Sequence, residues 1–122
     1  MRHANAEAAK LKSQLRATAL FNGSDAEFPP RLKIAIFGCG RLGQRTLQLL
    51  RKRGAVVECF ADNNALKWYE HIDGVPIVAP AALRAKRIDV IAVASSSGRD
   101  AIFAQLARLG YHHGHDYDAV AA

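Results

Sequence analysis

"IAIFGCGRLGQRTLQLL", residues 34–50, is the stretch from which the rest of the chain is read. Four apolar residues run into glycines at 38, 40 and 43, spaced Gly-x-Gly-x-x-Gly, and then into a helical pattern. Such a turn between a buried strand and a helix is built to receive phosphate, because the helix start offers free amides and the positive end of its dipole. The glycines have separable tasks: Gly38 permits the tight turn, Gly40 lets backbone approach a pyrophosphate, and Gly43 lets helix and strand pack closely. Arg41, with Leu42 beside it, stands at the mouth of the turn. Its guanidinium either adds a charged contact to a phosphate or is an exposed first-turn residue.

Asp62 lies nineteen residues past Gly43, just beyond a second apolar run, "AVVECF" at 55–60. A carboxylate there accepts hydrogen bonds from ribose hydroxyls. Asp62 and Asn63 are also ordinary turn formers. Residue type and spacing together favour the ribose role, and no arginine directly follows Asp62 to receive a 2′-phosphate.

Outward from the turn, strand and helix patterns alternate. Residues 32–37 read as a strand, 41–53 as a helix stopped by Gly54, and 55–60 as a second strand. A polar segment follows at 61–74, then "VPIV" at 75–78, where Pro76 places any strand at a sheet edge. Pro80 suits the first turn of a short helix at 79–87. The strand "IDVIAVA", the helix "SSSGRDAIFAQLARLG" and a last strand within "YHHGHDYDAV" complete the pattern. The fold expected is α/β and Rossmann-like, about five parallel strands in order 3-2-1-4-5 with helices on both faces. Residues 1–30 read as an N-terminal helix (4–21, with Leu11 and Leu15 one turn apart) and a linker; residues 31–122 read as the domain. That helix packs on the domain, on a partner subunit in a homodimer, or on nothing.

In an open parallel sheet ligands sit outside the strand ends where the order reverses. Ser95 and Ser96, at the end of the fourth strand, therefore share a crevice with the glycine turn, while Ser97 is placed to cap the next helix. His112, His113 and His115 lie within four residues. Two are adjacent and no cysteine completes a ligand set, so a polar surface turn is expected there and not a metal site. Trp68 and Tyr69 cover a base or sugar, or close the core; the sequence leaves both open.

The 122 residues are half hydrophobic, which suits one folded domain. The stretch "MRHANAEAAKLKSQ" has charges where a signal peptide needs an apolar run, so a cytoplasmic protein is expected. Cys39 and Cys59 cannot make a disulfide framework and read as buried thiols. The net charge is +6, with Arg41, Arg45, Arg51, Lys52 and Arg53 clustered in thirteen residues. No aromatic platform or zinc spacing accompanies them, which disfavours nucleic-acid binding, and for Arg51 to Arg53 a solvated face at the helix end is favoured, where cations also complement the helix dipole. No Tyr-x-x-x-Lys pair, Gly-x-Ser-x-Gly or Walker lysine is present, so the pattern is that of a binding site without catalytic residues.

"KIAIFGCGRLGQRTLQLL", "VVECFADNN", "IDGVPIVAP" and "DVIAVASSSGRDAIFAQLARLGY" together resemble the small Rossmann-like modules of bacterial sugar-modifying enzymes. These are the N-terminal domains of hexapeptide-repeat sugar acyltransferases and the leading domains of nucleotide-sugar dehydratases of polysaccharide synthesis; similar modules accompany some methyltransferases. The resemblance spans roughly 31–120 and lacks the catalytic domain that usually follows. It implies a nucleotide or nucleotide-sugar ligand, with phosphates near Gly38, Gly40 and Gly43, a ribose or base near Asp62, and Ser95 and Ser96 in the crevice. NAD and UDP-sugars head the ligands. An NAD(H)-binding oxidoreductase or redox-sensing module, an S-adenosylmethionine-dependent domain, and an interaction module with a decayed site are the alternatives.

Overall fold

The computed structural model describes residues 16–22 and 28–120. Its elements are α1 (Arg16–Asn22), β1 (Ile34–Phe37), α2 (Arg41–Lys52), β2 (Val57–Ala61), a 3-10 turn (Ala65–Lys67), β3 (His71–Ile72), β4 (Val75–Val78), α3 (Ala82–Ala85), β5 (Val90–Val93), α4 (Arg99–Arg108) and β6 (Tyr117–Ala119). Six strands form one sheet in the order β3-β4-β2-β1-β5-β6. The five that run parallel take the expected order, and β3 is an addition: it pairs antiparallel with β4.

The central strand β1 is buried at all four residues, as a parallel strand covered on both faces must be. Alternation sends Ile34 and Ile36 to one face, with Leu47 and Leu50 of α2, and Ala35 and Phe37 to the other, with Leu83, Ile102 and Leu106 of α3 and α4. Helices thus lie on both faces of the sheet.

The structure resolves one open expectation, overturns a second and adds an element. The leading helix packs on the domain: Ala17 and Phe21 join the α2-side core, and the Ala17 and Thr18 amides donate to the carbonyls of His115 and Gly114 at 3.1 and 3.0 Å. The expected residues 4–15 of that helix and 23–27 of the linker lie outside the described residues. Pro76 does not mark an edge, since β4 lies between β2 and β3. The ladder with β2 involves only Ile77 and Val78, so the missing proline amide falls before it. The polar segment hides a hairpin, closed by Asp73 (φ 48°) and Gly74 (φ 81°) between the paired Ile72 and Val75. Two positive φ values in a two-residue loop are the geometry that Asp-Gly favours, so the sequence carries the signal for this turn.

The basic cluster after the turn is also more than a solvated face. Arg51 donates to the Asp73 carbonyl at 2.9 Å, and Arg53 donates to the Leu20 carbonyl at 2.7 Å while lying 4.5 Å over the Phe28 ring. Among the described residues no helix is long and apolar enough to cross a membrane.

Candidate functional site

The strand order reverses at β1, and the crevice at its carboxyl end holds a cavity of about 360 Å³. Its lining includes the turn residues Gly38, Gly40, Arg41 and Leu42, then Asp62 and Asn63 after β2, and Ser95 and Ser96 after β5. The sheet topology brings together three segments that are far apart in sequence. Gly43 is the one candidate outside the lining, and it is buried beneath the turn.

Each glycine meets a different surrounding. Gly38 has φ +108° and its amide donates to the Ala61 carbonyl at 2.8 Å, so the chain leaves the sheet by a left-handed step. A Cβ on Gly43 would stand 1.9 Å from the Gly38 carbonyl oxygen. That position is closed by backbone. A Cβ on Gly40 would meet nothing within 4 Å, so here the backbone is bare and open to the crevice. Gly40 is also the N-cap of α2 with no side-chain cap, which leaves the first amides of the helix free for an anion. Arg41 is exposed at that mouth, and half-buried Leu42 packs on the core below.

Asp62 is organised by partners that no motif announces. Its Oδ2 accepts from the Cys39 amide at 3.2 Å and the Cys39 thiol at 3.1 Å; its Oδ1 accepts from the Asn64 amide at 2.8 Å. Trp68 Nε1 donates to the Asp62 carbonyl at 2.7 Å, so Trp68, half-buried against the core, holds the segment in place and lies outside the crevice lining. Tyr69 is exposed. Burial raises the Asp62 pKa, but the bonds from Asn64 and Cys39 outweigh it and hold the carboxyl below its ordinary range. The same geometry, burial first, pushes the Cys39 thiol up to about 11. Of about four lone-pair sites on a carboxylate three are occupied, one of them by a weak S–H donor.

Asn63 exchanges a reciprocal amide pair with Gln105 of α4, at 3.0 and 2.8 Å. Its side chain ties β2 to α4 across the crevice. Ser95 Oγ accepts from the Gly98 amide at 3.1 Å and so closes the turn that leads into α4; Gly98 is the N-cap of that helix, which has no side-chain cap, so the capping expected of Ser97 is not made. Cys39 and Cys59 are free, buried, and on opposite faces of the sheet. The histidines are engaged individually: His113 Nε2 lies 3.0 Å from Asp118 and His115 Nδ1 2.6 Å from Asp116. No group that could hold a metal ion occurs among the described residues.

A doubly wound sheet, a glycine turn at its switch point and an acid after the second strand define a Rossmann-like domain. The chain belongs to the C2185-like, N-terminal family, which matches residues 31–115. No curated protein sequence matches it. UDP-D-quinovosamine 4-dehydrogenase from Vibrio fischeri is a similar solved structure (TM-score 0.55, 20% identity, 72% of this chain and 75% of that one). A second is RSP, a Rex-family repressor (TM-score 0.57, 16% identity, 84% of this chain and 56% of that one). RSP in complex with beta-NADH gives a TM-score of 0.54 at 16% identity, over 74% of this chain and 53% of that one. The chain therefore spans about half the length of RSP, and at these identities the likeness is one of fold.

Proposed function

We propose that this chain is a nucleotide-binding module of carbohydrate-modifying machinery, acting by recognition and without a catalytic centre of its own. Backbone amides at Gly40 and the start of α2 hold a pyrophosphate, and Asp62 holds a ribose. The observation that carries this reading is the open approach at Gly40, beside an ionised carboxylate in the same crevice. Closed packing at Gly43 serves the turn; nothing in the packing requires glycine at 40, whereas a phosphate does. The fold likeness to a UDP-sugar dehydrogenase supports a nucleotide-sugar ligand. A second reading, an NAD(H)-sensing module, is favoured by the likeness to RSP, whose fold is matched both alone and with beta-NADH.

Thermal melting against NAD, NADH, UDP, UDP-N-acetylglucosamine, GDP-sugars, S-adenosylmethionine and coenzyme A tests the proposal. Because one neighbour is a repressor, duplex DNA belongs in the panel. A ligand at one hundred times its Kd adds about 2.7 kcal/mol, a clear shift in Tm. The shift is expected with a single nucleotide class and is lost in Gly40→Val. Melting that is unmoved by every nucleotide would sink the proposal.

A further inference from the structure

A second cavity, of about 440 Å³, adjoins the glycine-turn cavity and shares Leu42, Ser95 and Ser96 with it. It lies on the β5–β6 side of the switch point, away from Asp62, and is completed by Asn22 of α1, Arg99 of α4, and Asp118 to Val120 at the end of β6. With a pyrophosphate on the turn and its ribose at Asp62, the shared Leu42, Ser95 and Ser96 make this cavity a direct continuation for the outer phosphate. We propose that this cavity takes the polyhydroxylated ring carried on that outer phosphate, which rests on the nucleotide reading above and names the part of the ligand that selects this chain.

The lining has the chemistry of such a ring. Sugar hydroxyls both donate and accept, and the ring face between them is apolar. Here Ser95, Ser96, the Arg99 guanidinium and the Asn22 carboxamide meet the Asp118 carboxylate around Leu42 and Val120. Asp118 is anchored as an acceptor: its Oδ2 takes the Thr18 hydroxyl at 2.7 Å, and its Oδ1 faces His113 at 3.0 Å and the Ala119 amide at 2.8 Å. Arg99 is over half exposed and, among the described residues, pairs only with the exposed Asp100 at 3.8 Å, so its donors are turned to solvent in the cavity wall. Asn22 donates to the Ala119 carbonyl at 2.7 Å, which fixes the amide and leaves its oxygen as an acceptor. A carboxylate in the wall argues against a further phosphate as the occupant and for a neutral polyol.

Four of the lining residues, Asn22 and Asp118 to Val120, lie outside the 31–115 span of the family match. The glycine turn belongs to the shared module, whereas the wall of the second cavity is supplied by α1 and the end of β6. Selectivity for the ring is thus a property of how these flanking segments dock.

Calorimetric titration of the full chain with matched pairs tests this: UDP and UDP-glucose, GDP and GDP-mannose, ADP and ADP-ribose. The sugar-bearing member of one pair is expected to bind about tenfold tighter than its bare diphosphate, the worth of a hydrogen bond or two to charged groups. Arg99→Gln, an exposed change, removes that gain while the bare diphosphate keeps its Kd; Asn22→Ala does the same with some loosening of α1. The hexose and ribose arms separate a nucleotide sugar from the ribose half of a dinucleotide. Equal affinity within every pair, or an Arg99→Gln loss shared equally by diphosphate and sugar nucleotide, overturns the ring subsite and leaves the nucleotide reading intact. A folded protein that binds no bare diphosphate and no sugar nucleotide overturns both.

Discussion

Gly43 has room for a hydrogen and nothing larger, while Gly40, three residues earlier, faces open space. Gly43→Ala forces the turn and helix apart and is expected to lose about 3 kcal/mol in urea unfolding, the upper end for overpacking against backbone. Gly40→Ala loses under about 1 kcal/mol, the difference between glycine and alanine at an N-cap. A reversal of that ranking would show that the turn is built otherwise. The spacing of these glycines made the turn at Gly38 and the close packing at Gly43 legible, since each follows from a local step of the chain. Asp62 was legible for the same reason, as an acid at a set distance. Its partner Cys39 was not, because twenty-three residues and a strand crossing separate a thiol from the carboxylate it meets. The Asp62 pKa is depressed in the folded state, against about 3.9 in the unfolded chain. The stability it contributes is therefore complete above that value and is withdrawn as pH falls below about 4. The stability gap between the wild type and Asp62→Asn should shrink over that acid range; a gap that is constant from pH 7 to pH 3 would mean the carboxylate bonds contribute nothing.

The long periodic elements followed from pattern: β1, α2, β2, β5 and α4 each carry enough residues for alternation or a helical stripe to be counted. The two-residue β3 has too few, and only the Asp73-Gly74 turn could have announced it. The leading helix was legible as a helix, but its thin apolar stripe names no partner surface. Contacts with β5 and β6 supply one, with Phe21 buried and its ring 6.2 Å from that of Phe28. Phe21→Ala should cost about 3 kcal/mol, as deletion of a buried aromatic ring does. Leu66→Ala, at a residue that is 88% exposed, should stay within about 0.5 kcal/mol. Equal effects in the two variants would place α1 off the sheet.

Considered entire, the molecule is a sheet sealed by helices on two faces, with a crevice where the order turns back at β1. Deleting residues 1–28 strips Ala17, Phe21 and Phe28 from one face and Asn22 from the second cavity. Circular dichroism melting of the shortened chain should show a markedly lower Tm; an unchanged Tm would mean that the domain stands without α1. Local chemistry was enough to settle the class of fold and the glycine turn, because alternation, helical period and glycine spacing act over a few residues. It also placed an acid, Asp62, just past the second strand. The docking of α1, the thiol beside Asp62, the Asn63–Gln105 bridge and the second cavity arose only when distant segments met. Those contacts depend on which surfaces remain uncovered once the sheet has formed, and no stretch of chain carries that information alone.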